Sequence, residues 1–138
     1  MMFLEMLKNR GLKATPQRIS VLRILGKHTH PTIDELYDEI KKEHPSISLA
    51  TIYKNLSTLI ENGLAVEILM PNQKSKFDIY ERPHIHVVCE KCGEIYDFYD
   101  EVCEICSYQQ NLEKKISSEI TKFNITATIC DCKNCQST

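Results

Sequence analysis

The chain has 138 residues, 42% hydrophobic and 26% charged, which is the make-up of a soluble globular protein of one or two small modules. Its longest apolar run is far short of a membrane span and Met1–Leu7 is too short for a signal peptide, so the sequence predicts a cytoplasmic protein with no membrane association. The formal net charge of −2 hides an asymmetry: residues 1–82 carry 12 Lys/Arg against 10 Asp/Glu, and residues 83–138 carry 5 against 9. Only the N-terminal stretch is suited to lie against phosphates. The 7 cysteines, in a reducing compartment, point to metal or redox chemistry rather than to a disulfide framework.

Four helical patterns fill the first sixty-odd residues. Met2–Asn9 is short and stops at Gly11. Thr15-Pro16 opens the next, with a capping hydroxyl and Pro at the first helical position, and His28-Thr29-His30-Pro31 ends it. Thr32-Ile33-Asp34-Glu35 is a capping box opening a third helix, which His44-Pro45 stops. Ser48 caps the fourth; Leu49, Ile52, Leu56, Leu59 and Ile60 mark its inner face, and Gly63 is placed to end it. Leu64–Met70 and Lys76–Tyr80, joined by turn chemistry, read as a strand pair. Three helices and a two-stranded wing form the order of a winged helix-turn-helix, spanning 1–80. Glu81-Arg82-Pro83 reads as a hinge. Residues 84–138 form a second module: strands at Ile85–Val88 and Glu94–Phe98, a helix over roughly Gln110–Lys122, and a closing strand at Asn124–Ile129. The fold class is α+β.

With the apolar face of the fourth helix turned inward, Ala50, Thr51, Tyr53, Lys54, Asn55 and Ser57 point out, with no acidic residue before Glu61. Such a face fits the major groove of double-stranded DNA, where an acidic side chain would have to be desolvated against phosphates. Arg10, Lys13, Arg18 and Lys54 are candidates for phosphate contacts that fix register. The competing reading of this face is an ordinary solvated helix in a bundle.

Cys89-x-x-Cys92 and Cys132-x-x-Cys135 have the spacing of two zinc knuckles, each able to present both sulfurs to one tetrahedral ion. Cys103-x-x-Cys106 has the same spacing, so any two of the three pairs can make the cage; the first and last are preferred because they flank the whole module. Cys103, Cys106 and Cys130 are left with a redox role or none. His84 and His86 alternate on a strand and so share a face, which suits a second, open site. Asp78, Asp97 and His30 are further candidates that spacing alone does not tie to it. Such a donor set suits Fe(II), Mn(II) or Zn(II).

Thr15-Pro16-Gln17-Arg18, His30-Pro31-Thr32, Ser48–Tyr53 with Leu56, Phe77-Asp78, and His84-x-His86-x-x-Cys89-x-x-Cys92-Gly93, in that order, resemble the ferric uptake regulator family, and the resemblance resumes at Cys132–Cys135. It implies a homodimeric winged-helix metalloregulator with a C-terminal dimerisation domain, a structural zinc on Cys89, Cys92, Cys132 and Cys135, and a palindromic operator. Within the family the chain is most similar to the peroxide-responsive repressors. This implies a regulatory Fe(II) or Mn(II) on His30, Asp78, His84, His86 and Asp97, with His30 and His84 oxidised when peroxide reacts with bound iron. An iron-responsive repressor is the alternative, since that branch tends to carry Glu where this chain has Asp97. The chain departs from the family by about seven extra residues after Asp97, by a shorter closing segment, and by having no histidine beyond His86. Two readings from other classes are a small metal-dependent hydrolase on the His84/His86/Asp97 set and a zinc-stapled adaptor. The first lacks a general base beside those ligands, and the second predicts no salt-dependent affinity for DNA. The chain is thus expected to be a repressor and not an enzyme.

Overall fold

A computed structural model describes residues 2–71, 73–80, 84–99 and 104–136. The expected hinge, 81–83, and Cys103 lie outside the described residues. The chain divides into two units, Met1–Leu69 with Lys74–Tyr80 and Met70–Gln73 with Glu81–Thr138.

The first unit runs α1 (Met2–Asn9), α2 (Pro16–Leu25), α3 (Ile33–Glu43), α4 (Leu49–Glu61), β1 (Ala65–Ile68) and β2 (Lys76–Ile79). Each of α2, α3 and α4 starts where a hydroxyl residue satisfies an otherwise unbonded amide of the first turn. Thr15 accepts from the Arg18 N–H, Ser48 from the Thr51 N–H, and Thr32 forms the full reciprocal box with Glu35. The second helix ends at Leu25, earlier than the histidine-rich segment expected to stop it. At the far end of α4, Gly63 takes a φ of +74° and the Leu64 N–H reaches back to the Leu59 carbonyl at 2.9 Å. That left-handed cap turns the chain directly into the wing, and a side chain there would be strained.

Leu22, Leu25, Leu36, Ile40, Ile52, Leu56, Leu59 and Ile79 close one core among the three central helices and the wing. Full burial of each such side chain is worth about 1.5–3 kcal/mol. β1 and β2 pair antiparallel with Val66 opposite Asp78. A third extended segment joins them: Thr32 bridges Lys76 in antiparallel sense and the Phe77 N–H donates to the Pro31 carbonyl at 2.9 Å. Stepping two residues outward on each side of that bridge brings His30 level with Asp78.

The second unit contains β3 (Ile85–Cys89), β4 (Ile95–Phe98), α5 (Glu104–Ile116), β5 (Ile125–Ile129) and a single turn, α6 (Lys133–Gln136). The sheet order is β4-β3-β5, with β4 antiparallel and β5 parallel to β3. The helix lies six residues earlier than the Gln110–Lys122 expected from the sequence. It is ended by Ser117 at a φ of +58° with the Ser118 N–H returning to the Glu113 carbonyl, a left-handed cap made without glycine. Apolar periodicity alone does not mark such an end. No helix among the described residues is long and apolar enough to cross a membrane.

Ile52 is fully buried between α4 and the rest of the first unit. Ile52→Ala should therefore cost about 2–5 kcal/mol of stability, read as a lowered urea midpoint of the full-length protein. The exposed Thr51→Ala should cost far less.

Candidate metal centres and the DNA-facing helix

The cysteine cage is built by two tight turns brought together by the parallel pairing of β3 with β5. After Cys89 the chain reverses through Gly93, at a φ of +78°, with the Gly93 N–H on the Cys89 carbonyl at 2.8 Å and the Cys89 N–H on the Glu94 carbonyl at 2.9 Å. The Glu90 N–H donates to the Ile129 carbonyl at 3.0 Å, which sets the first knuckle against the end of β5. The second knuckle is one turn closed by the Cys135 N–H on the Cys132 carbonyl. The four sulfurs of Cys89, Cys92, Cys132 and Cys135 lie within 4.8 Å of one another. Cys89 to Cys135 is 3.5 Å, and Cys92 to Cys132 and Cys132 to Cys135 are each 3.6 Å. Sulfurs at about 2.3 Å from a tetrahedral zinc are separated by roughly 3.8 Å, so this set fits that ion with little adjustment. None of the four is in a disulfide, whereas Cys106 is disulfide-bonded and Cys130 is an exposed thiol.

One neighbour of the cage was not anticipated from the sequence. The Tyr96 hydroxyl hydrogen-bonds the Cys132 sulfur, and this bond above all brings the Cys132 thiol down to about 6 from its ordinary 9.0. The same contact pushes the Tyr96 phenol up to about 12. A sulfur so stabilised as thiolate is a better metal ligand.

The remaining candidates fall into two sets, one in each unit. In the second unit His86 stands directly opposite Asp97 in the β3–β4 register, and His84 lies two residues before His86 on the same face. The His84 and His86 Nε2 atoms are 2.9 Å apart, and Asp97 Oδ1 is 3.8 Å from the first and 3.6 Å from the second. Both imidazoles are almost wholly buried, with His84 4% and His86 1% exposed, and His84 stacks on Tyr99 at 4.7 Å. Two buried imidazole nitrogens and the oxygen of a half-buried carboxylate converge here, a donor set that suits a divalent cation.

In the first unit Asp78 is fully buried, and His30 Nε2 lies 3.8 Å from its Oδ2. A second imidazole is present, from a segment that the sequence marks only as a helix stop: His28 Nδ1 is 3.0 Å from Asp78 Oδ1. His28 and His30 both take left-handed backbone conformations, with φ of +57° and +53°. This region is sparsely populated by residues with side chains and is held here by the bridge of Thr32 to β2. The alternating His28-Thr29-His30 spacing is the signal that points to both rings reaching the same partner.

On α4, Ala50, Thr51, Tyr53, Lys54 and Ser57 are exposed, Tyr53 by half of its surface, while Asn55 is half-buried and reaches solvent less than expected. Arg10 and Lys13 are exposed. Arg18 is half-buried and its guanidinium donates to the Lys13 carbonyl at 2.9 Å, so it braces the turn before α2. The wing is tied to the start of α3 by an ion pair between Lys74 and Asp34 that the sequence reading also passed over.

Residues 9–128 match the model of the ferric uptake regulator family. The chain belongs to the ferric uptake regulator family. A peroxide-responsive repressor of Staphylococcus saprophyticus is 38% identical over 136 residues, covering 94% of this chain and 86% of that protein. The crystal structure of a Campylobacter jejuni peroxide stress regulator is 57% identical, with a TM-score of 0.78 over 98% of this chain and all of that one. A ferric uptake regulator of Pseudomonas aeruginosa, solved with manganese, is 25% identical with a TM-score of 0.72 over 96% of this chain and 99% of that one. Within the family the chain is most like the peroxide-responsive repressors, and it shares their α+β fold.

The geometry of the cage leads to a direct expectation. Cys132→Ser should lower zinc in the purified protein from about one ion per chain to well below that, read by elemental analysis, because three thiolates no longer close the tetrahedron.

Proposed function

We propose that this family member, a metal-dependent repressor of the peroxide-responsive kind, uses His30, Asp78, His84, His86 and Asp97 as the ligands of one labile Fe(II) or Mn(II). Zinc on Cys89, Cys92, Cys132 and Cys135 is the structural ion. The observation that carries the reading is that each unit holds its own partial set, buried imidazole with carboxylate, and neither set alone completes a coordination sphere. A cation that takes ligands from both sets binds best in one orientation of the two units. It therefore shifts the population towards that orientation, and metal affinity and DNA affinity rise together.

DNA is met by the exposed face of α4, with Thr51, Tyr53, Lys54, Asn55 and Ser57 towards base edges and Arg10 and Lys13 towards phosphates. A homodimer presents two such helices to the halves of a palindromic operator. The second unit supports association with a second copy: in the β4-β3-β5 sheet, β5 is an edge strand whose residues are exposed or only half-buried, and Phe98, Tyr108 and Ile116 are each more than half exposed. The protein acts in the cytoplasm, where DNA and reduced thiols are found together.

With Fe(II) bound, these residues would gain reducing chemistry towards hydrogen peroxide; overall, one peroxide oxygen is inserted into an imidazole C–H and the other leaves as water. His30 and His84 are the rings that take up the oxygen. An oxidised imidazole is a poorer donor, so the two ligand sets lose their common ion and the units are released from the DNA-binding orientation. Reaction is with the protein itself and happens once per chain, which makes it a switch rather than turnover.

Fe(II)-loaded protein exposed to stoichiometric peroxide should gain 16 Da, a single oxygen atom, on His30 or His84 and lose operator binding in a gel shift, while Mn(II)-loaded protein stays bound and unmodified. Loss of DNA binding with both histidines intact would instead indicate an iron-sensing repressor. Lys54→Ala should weaken DNA binding and make the dependence on log salt shallower by up to about one, measured by fluorescence anisotropy.

A further inference from the structure

Asp78 is fully buried, and the two oxygens of its carboxylate have different surroundings. Oδ1 accepts the Ile79 N–H at 2.8 Å and lies 3.0 Å from His28 Nδ1. A carboxylate only accepts, so the proton of that second bond sits on the imidazole, which fixes the His28 tautomer. Each carboxylate oxygen offers about two lone-pair sites, and both sites of Oδ1 are thereby engaged. Oδ2 is the oxygen on the side of His30, whose Nε2 stands 3.8 Å away, too far for a hydrogen bond and close enough for both atoms to reach a common ion.

We propose that His28 is a positioning residue for the labile metal: its Nδ1–H donates to Asp78 Oδ1, so that Asp78 binds the ion through Oδ2 alone, alongside His30. This rests on the reading of Asp78 as a ligand of the regulatory ion. His28 does not touch the ion. It acts as the hydrogen-bonded partners of metal-binding side chains generally do, by holding the ligand's orientation and limiting it to one oxygen. The backbone supports the assignment. Non-glycine residues adopt left-handed φ rarely, yet His28 and His30, two residues apart, both do so, and the result is that both rings point at one carboxylate. The His28 side chain is only 31% exposed, so it is not simply a solvated histidine at the end of a helix.

The left-handed φ of His28 dictates the variants. Asn tolerates that conformation and can present an amide N–H near the position of Nδ1, and Gly tolerates it without any donor. Full-length, zinc-loaded protein is titrated with Mn(II), and the free ion is followed by electron paramagnetic resonance. His28→Gly is expected to weaken Mn(II) binding by roughly 10–100-fold, while His28→Asn recovers most of the loss. Zinc content and melting temperature, measured on the same samples, should be the same for the two variants, so a difference between them reports the donor and not the fold. Asp78→Ala should abolish Mn(II) binding at the labile site. If His28→Gly binds as the parent does while Asp78→Ala does not bind, the role given to His28 is wrong and Asp78 remains a ligand. If Asn is as impaired as Gly, the hydrogen bond is not what His28 contributes. If Asp78→Ala also binds like the parent, the ligand assignment fails, and the role of His28 fails with it.

Discussion

A fully buried carboxylate with imidazoles around it is the feature on which the regulatory reading depends. Asp78 sits on β2, with Phe77 and Ile79 on either side contributing to the core of the first unit. A charge in such a place is costly unless it is hydrogen-bonded and counter-charged. The chain meets the first need with the Ile79 amide and the His28 ring, and the second, in the proposed function, with a divalent cation. Because Asp78 belongs to the β1–β2 pair, whatever holds the carboxylate also bears on the element that follows α4.

The two metal centres differ as their donors predict. The cysteine cage is made of soft thiolates on two rigid turns within one unit, and the spacing of its sulfurs is close to that required by tetrahedral zinc. Such a closed site adds folding free energy to a unit whose apolar core is small. The Tyr96 hydroxyl on Cys132 reinforces it by favouring the thiolate. The histidine and aspartate sets are harder ligands, split between units, and each is incomplete alone. A labile ion shared by both sets, as proposed, would be lost when either set changes, and that property suits a sensor better than a staple.

Much of the first unit was legible because its determinants are local. Thr15, Thr32 and Ser48 cap helices through bonds that span three residues, and the inner face of α4 follows from 3–4-residue spacing. The Cys-x-x-Cys and His-x-His pairs are likewise short-range patterns, but the sequence only favours the first and last of three knuckles, and it is the structure that brings their four sulfurs together. The end of α5 was not legible. It is set by a serine in the left-handed region, where sequence rules look for glycine, and the stretch from Ser117 to Lys122 carries enough helix-compatible residues to mislead a periodicity argument.

The sequence by itself determined which chemistries are available: Cys-x-x-Cys pairs able to hold zinc, imidazoles in alternation, and a polar helix face with no acidic residue before Glu61. Only the tertiary structure decided which side chains meet. That His30 comes level with Asp78, that His86 faces Asp97, and that His28 rather than solvent holds Asp78 Oδ1 are matters of strand register. So is the burial of Asn55 and the diversion of Arg18 to the Lys13 carbonyl, which depend on how helices and turns pack. Register and packing join residues up to fifty positions apart through the sum of many weak contacts, and no short window of sequence contains that sum.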